Sequence, residues 1–265
     1  MKVKAMANRP RQYRYITALC CAGLFLIGMG CTLLQRIWVP ENAFRWALGA
    51  LLALTLLGWR IRAAFAQEPG KLPEACYPGL ANQITVLRGL LVSLLAGFLL
   101  AGTPAGSAAW IPAILYSAAL ILDVVDGFLA RLRRESSAFG AFLDRDLDAW
   151  GTLVGILLAV LYGRLPGWYV VAGMAYYLFA FGQWRRERRG LPLHPLPPSR
   201  YRRHVAAVQS LFIILALLPP ALLPEYGWAA ALVMIPVLAG FMRDWWTVSG
   251  RDLPVLSGMN LRYLR

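Results

Sequence analysis

Acidic residues are scarce in this chain. Thirteen Asp and Glu stand against 27 Lys and Arg in 265 residues, and charged residues of both signs make up only 15%. A soluble domain of this length carries about a quarter charged residues, so a water-facing globule is excluded. The polar, aromatic-poor composition of a disordered chain is missing too: 59% of residues are hydrophobic and mean hydropathy is +0.55. Cysteine is limited to positions 20, 21, 31 and 76, with no C-x-x-C pair, which supports neither a zinc site nor a disulfide framework. Strand-like alternation is absent, and an open sheet edge could not survive in lipid. What remains is an all-α integral membrane protein.

A spanning helix needs about 20 mostly apolar residues. Eight stretches qualify: Tyr15–Gln35, Ala43–Arg62, Ile84–Ala101, Ala108–Arg131, Gly140–Tyr162, Pro166–Trp184, His204–Leu223 and Gly227–Trp245. Proline and glycine punctuate the connections at Pro69-Gly70, Gly102-Thr103-Pro104 and Leu191–Ser199. The basic segment Met1 to Arg14 precedes an apolar run long enough to span, so it reads as a retained anchor and not a cleaved signal. Trp38, Trp59, Trp110, Trp150, Trp168, Trp184, Trp245 and Trp246 fall near span ends, the position of interface anchors.

The basic excess has a simple distribution. With a cytoplasmic N-terminus, the outer loops and flanks carry only Arg36, Arg45 and Arg164, so 24 of the 27 Lys and Arg face the cytoplasm. This positive-inside asymmetry puts both termini in the cytoplasm and accounts for the net +14 without a nucleic-acid partner. A bacterial-type inner membrane is the expected location. Such a face also attracts anionic lipid headgroups.

Against this background five aspartates lie between Asp123 and Asp148. Asp123 and Asp126 are i and i+3 at the cytoplasmic end of the fourth span, hence on one helix face. Gly140, Asp144 and Asp148 follow at i, i+4 and i+8 on the fifth. The link between these spans is short, so the two helices run antiparallel and their stripes can meet. Four carboxylates in one volume repel unless cations join them. Mg²⁺ takes a few carboxylates plus substrate phosphates, and two ions can clamp a diphosphate during displacement at phosphorus. Small residues at Gly127, Ala130 and Gly140 leave room beside the backbone. Asp146 lies off the stripe; no metal contact is expected from it, and a local pairing with Arg133 or Arg134 is.

The stretch reads Asp123-Val-Val-Asp126-Gly127-Phe-Leu-Ala130-Arg131, eight residues, Gly140, three, Asp144, three, Asp148. It resembles the signature of the CDP-alcohol phosphotransferase family, D-x-x-D-G-x-x-A-R-(x8)-G-x-x-x-D-x-x-x-D, at every fixed position and gap. A chance match in one window is on the order of 10⁻¹⁰ at about one in twenty per position. The resemblance implies a six-helix core at 84–247, preceded by an additional transmembrane hairpin at 15–65 and a cytoplasmic linker or interfacial helix at 66–83. The basic N-terminus at 1–14 and a tail at 248–265 complete the chain. It also implies a homodimer that transfers a phosphatidyl group from a CDP-linked lipid donor, CDP-diacylglycerol, to an alcohol and releases CMP.

In that resemblance Asp123, Asp126, Asp144 and Asp148 are ligands of Mg²⁺ or Mn²⁺, two ions in all, and Asp148 is also the general base. Gly127, Ala130, Arg131 and Gly140 line the nucleotide pocket. An Asn-x-x-Thr-x-x-Arg stretch typical of the family is met by Asn82, Thr85 and Arg88, on the same pocket. The acceptor is assigned more loosely. Arg185, Arg202, Arg203 and Arg243 cluster at the cytoplasmic mouth, where planar guanidinium forks suit a phosphate, and His204 stands beside them. Arg243-Asp244 with Ser249 is similar to an Arg-acid-x-x-x-x-Ser element of glycerophosphate-using members, though on a later helix. Glycerol 3-phosphate is therefore the expected acceptor, with inositol phosphate, serine, another alcohol or a lipid as alternatives. A cation transporter is the competing class, but transporter sites favour the bilayer midplane, and these acids lie at span ends.

Overall fold

The computed structural model describes residues 2–66, 80–133, 138–197, 199–219 and 227–250. All eight predicted stretches are mainly helical where described, the seventh as far as Leu217, and among the described residues there is no strand. The helices are α1 (Lys2–Ile37), α2 (Pro40–Ala66), α3 (Leu80–Ala96), the short α4 (Phe98–Ala101), α5 (Ile111–Arg133), α6 (Ala138–Leu161), α7 (Val170–Arg188), α8 (Arg200–Leu217) and α9 (Gly227–Val248). Of the linker expected at 66–83, residues 67–79 lie outside the described residues and α3 already begins at Leu80; the tail from 251 lies outside them too. So does Pro198 within the proline-rich connection.

Five helical segments are long and apolar enough to cross a membrane: Ile16–Ile37, Pro40–Ala64, Gln83–Ala101, Gly106–Leu129 and Gly227–Val248. Helices α6, α7 and α8 carry their charges inside the helix, at its start in α6 and α8 and at its end in α7. Large apolar side chains face outward, among them Phe25, Phe44, Trp59, Phe128 and Trp228. That is the arrangement expected where the surrounding medium is hydrocarbon rather than water, because lipid tails are as apolar as these side chains.

Inward, one continuous hydrophobic core runs from Leu19 on α1 to Val237 on α9. The N-terminal hairpin is part of it. Trp46 of α2 is buried and donates from Nε1 to the Leu94 carbonyl at 2.9 Å. It packs on Gly97, where an added Cβ would come within 2.7 Å of the Trp46 carbonyl oxygen. Only glycine permits that approach, and the third predicted span divides there into α3 and α4. Helix α3 packs along α5 and also meets α2 and α6, which places it at the centre of the bundle.

One anchoring expectation is corrected. Trp150 is only 6% exposed and lies beneath Arg60, so it is a core residue. Trp245 packs against Phe179. Trp59, Trp110, Trp168 and Trp184 are exposed as anchors would be.

Candidate active site

Three helices build the acidic cluster. Helix α3 offers Thr85 and Arg88 three residues apart, so both side chains leave the same face; both are buried. Helix α5 ends in Asp123 and Asp126, and α6 begins with Asp144 and Asp148. Of the four acids expected to converge, Asp123, Asp126 and Asp144 come together, and Asp148 stands outside that group. One carboxylate oxygen from each of Asp123, Asp126 and Asp144 lies within 4.8 Å of the others. Such a set of hard oxygen donors, carrying negative charge, fits a divalent cation.

Arg88 is the hub. It is 3% exposed. Its Nη1 forms ion pairs with Asp123 and, at 3.2 Å, with Asp148 Oδ1. Its Nη2 donates to Asp144 Oδ1 at 2.6 Å and to the Asp144 carbonyl at 3.0 Å. Thr85 Oγ1 donates to Asp126 Oδ2 at 3.0 Å, which covers the most buried of the four acids. One guanidinium against four carboxylates leaves an excess of negative charge. That excess favours a further cation, and buried charge without a partner is costly. The sequence had placed both the acids and Arg88 at this pocket; it had not foreseen that Arg88 grips three of the acids.

The remaining nucleotide-side residues are placed as follows. Asn82 lies in the first turn of α3, and Ala130 and Arg131 lie near the end of α5; the side chains of these three fall outside the described residues. Gly127 and Gly140 lie on α5 and α6 and are partly exposed.

On the other flank of Asp148 a cavity of about 750 Å³ opens between α6, α7, α8 and α9. Asp148, Arg145, Thr152, Arg202, Gln209 and Asp244 are among its polar lining. Arg202 Nη1 meets Asp244 Oδ2 at 3.1 Å, and Arg243 Nη2 meets Asp244 Oδ1 at 3.2 Å. Arg243 also lies over the Tyr201 ring at 5.0 Å. The proline-rich connection closes one side: the His194 N–H donates to the Val248 carbonyl at 3.1 Å, and Arg202 also donates to the Pro197 carbonyl.

Of the four arginines expected at the acceptor site, Arg202 lines this cavity and Arg243 approaches it through Asp244. Arg185 and Arg203 are exposed and absent from the lining. His194 lines it and His204 does not. Gln209, buried with its Nε2 lacking a partner among the described residues, carried no signal in the sequence, since a lone glutamine in an apolar helix belongs to no motif. Asp146 pairs with Arg60 of α2; of its expected partners, Arg134 and the side chain of Arg133 lie outside the described residues.

Residues 79–243 match the CDP-alcohol phosphatidyltransferase family. The chain belongs to that family. As a CDP-alcohol phosphatidyltransferase it is a membrane enzyme of phospholipid biosynthesis that transfers a phosphatidyl group from a CDP-linked donor to an alcohol. The match takes in every residue of the acidic cluster and leaves α1 and α2 outside. A curated relative, the CDP-diacylglycerol--glycerol-3-phosphate 3-phosphatidyltransferase of Pseudomonas fluorescens, is 33% identical over 148 residues, 54% of this chain and 74% of the relative. No solved structure matches the chain.

Proposed function

We propose that this phosphatidyltransferase moves the phosphatidyl group of CDP-diacylglycerol onto a hydroxyl of glycerol 3-phosphate and releases CMP. The observation that carries the reading is the double membership of Asp148. It is tied to Arg88 in the acidic cluster and also forms part of the wall of the cavity that Arg202 lines. A general base must reach the acceptor hydroxyl while standing beside the phosphorus under attack, and this position meets both needs. The relative from Pseudomonas fluorescens, named for glycerol 3-phosphate, supports the acceptor.

In this reading Asp123, Asp126 and Asp144, with Asp148, hold Mg²⁺ or Mn²⁺, two ions in all. When bound, the ions offset the diphosphate charge and polarise the phosphorus. Asn82, Thr85, Arg88, Gly127, Ala130, Arg131 and Gly140 receive the nucleotide, and Arg88 has the planar fork to exchange carboxylate for phosphate oxygens. Arg202, steadied by Asp244, meets the acceptor's phosphate. Asp148 takes the hydroxyl proton. The acceptor oxygen then bonds to the lipid-bearing phosphorus as the bond to the CMP oxygen breaks, and CMP departs with that electron pair. The six-helix core runs from α3 to α9, with α3 and the short α4 counted as one span, and works as a homodimer at the cytoplasmic face of a bacterial-type inner membrane.

The test is reconstitution in liposomes with Mg²⁺ and CDP-diacylglycerol, following CMP release with glycerol 3-phosphate, inositol phosphate and serine in parallel. Release with glycerol 3-phosphate alone is expected. Release only with another alcohol replaces the acceptor, and no release with any donor and acceptor pair removes the reading.

A further inference from the structure

Asp146 sits between the two α6 acids of the cluster, two residues from each, and is engaged by a helix that the family match does not include. Arg60 of α2 forms an ion pair with it, and both side chains are only 17% exposed. The same guanidinium lies 5.8 Å from the Trp150 ring. Asp146 and Trp150 are four apart and share a face of α6. Arg60 therefore holds that face at two points. One turn earlier on α2, Leu57 is fully buried against Gly89, the residue after Arg88; a Cβ on Gly89 would come within 2.8 Å of Leu57 Cδ1. The extra hairpin thus presses on α3 next to Arg88 and grips α6 between Asp144 and Asp148.

We propose that Arg60 is a positioning residue for the transfer reaction: its pair with Asp146 fixes the rotation of α6 and so aims Asp144 and Asp148 at the helices they face. The inference rests on the reading of Asp148 as the base. Carboxylate oxygens lie about 6 Å from a helix axis, so a rotation of about 10–20° moves them by about 1–2 Å. A misplacement of about 1 Å can cost about 10²-fold in rate. A little-exposed ion pair suits this role because its attested use is to select one arrangement among similar ones. Leucine packing alone would tolerate a few degrees of slip that a fork on a carboxylate does not.

The experiment compares Arg60→Ala, Arg60→Lys, Asp146→Asn and the double variant Arg60→Ala/Asp146→Asn in liposomes, with Arg62→Ala, an exposed neighbour on α2, as the control. CMP release gives kcat and KM, calorimetry gives CMP affinity, and thermal unfolding gives the folded fraction. Expected is a fall in kcat of at least about tenfold per folded molecule for Arg60→Ala and Asp146→Asn. CMP affinity should stay within about threefold, Arg60→Lys should recover part of the loss, and the double variant should be no worse than the poorer single one. Unchanged kcat per folded molecule, or fully additive losses, overturns the proposal. Where Arg60→Ala does not fold, Asp146→Asn decides, since it keeps the side-chain shape and removes only the charge. Wild-type turnover is measured first. Its absence with every donor and acceptor sinks the reading of the reaction, whereas wild-type turnover with undiminished variants sinks only the role of Arg60.

Discussion

Arg88 Nη1 and Asp148 Oδ1 lie 3.2 Å apart, joining a buried residue of α3 to an acid whose side chain is 55% exposed. The same guanidinium also pairs with Asp123 and Asp144. One cation, fixed by burial in the core, therefore sets where carboxylates from two other helices point. The exposed side of Asp148 stays open to the cavity between α6 and α9, so orientation comes from one flank and access from the other.

Replacing Asp148 with Asn tests that division. The amide keeps the volume and can still accept from Arg88, so the cluster should stay assembled. The proton acceptor is lost, and general-base catalysis of this kind contributes about 10²–10⁴-fold. CMP release should fall by that order while CMP binding, read by calorimetry, changes by no more than a few-fold. Normal turnover in Asp148→Asn would take the base assignment away.

Removing divalent ions should act on both stability and rate. Asp123, Asp126 and Asp144 bring oxygens within 4.8 Å of one another, and a cation that binds only the folded site stabilises it by mass action, about 2.7 kcal/mol at a hundred times Kd. Chelation with EDTA should abolish CMP release and lower the melting temperature, and Mg²⁺ or Mn²⁺ should restore both. Full turnover in EDTA, with no ion-dependent change in melting, would contradict the proposed ligand set.

The acceptor side is tested by Arg202→Gln. A hydrogen bond to a charged group contributes about 1.5–3 kcal/mol, which converts to about a ten- to hundredfold rise in KM for glycerol 3-phosphate. Asp244 keeps Arg243 at 3.2 Å, so the fold should hold. KM for CDP-diacylglycerol should move little. A variant whose KM changes for the lipid donor alone would put Arg202 on the wrong substrate.

Much of the fold was legible because long apolar runs carry their own signal, and each of the eight is largely helical where described, the third divided at Gly97. The acid stripes were legible because they lie on consecutive antiparallel helices, where local spacing determines which faces meet. What spacing cannot reveal is a partner far along the chain. Arg88 reaches acids 35 and 56 residues away, and Asp146 meets Arg60 on the distant α2. The arginines at the mouth pose a different problem. Positive-inside charge supplies them in excess, and composition does not tell Arg202, which lines the cavity, from Arg185 and Arg203, which do not. Trp150 misled for a similar reason, since a tryptophan near a span end serves equally as an interface anchor or as packing.

The seam between the hairpin and the core is tested by Gly97→Ala. A Cβ there would stand 2.7 Å from the Trp46 carbonyl oxygen and 2.8 Å from two atoms of its ring. The ring is held in place by its hydrogen bond to Leu94, so α2 must shift. Overpacking of this kind costs about 1–3 kcal/mol, or roughly 2–4 °C of melting temperature per kcal/mol in a chain of this size. Gly28→Ala on α1, where nothing lies within 4 Å of the added carbon, should instead be neutral or slightly stabilising through better helix propensity, by up to about 1 kcal/mol. The contrast separates the effect of close packing from that of losing a glycine. Equal melting temperatures for the two variants in detergent would show that the α2 contact at Gly97 yields, and that the hairpin rests on the core more loosely than the Trp46 geometry requires.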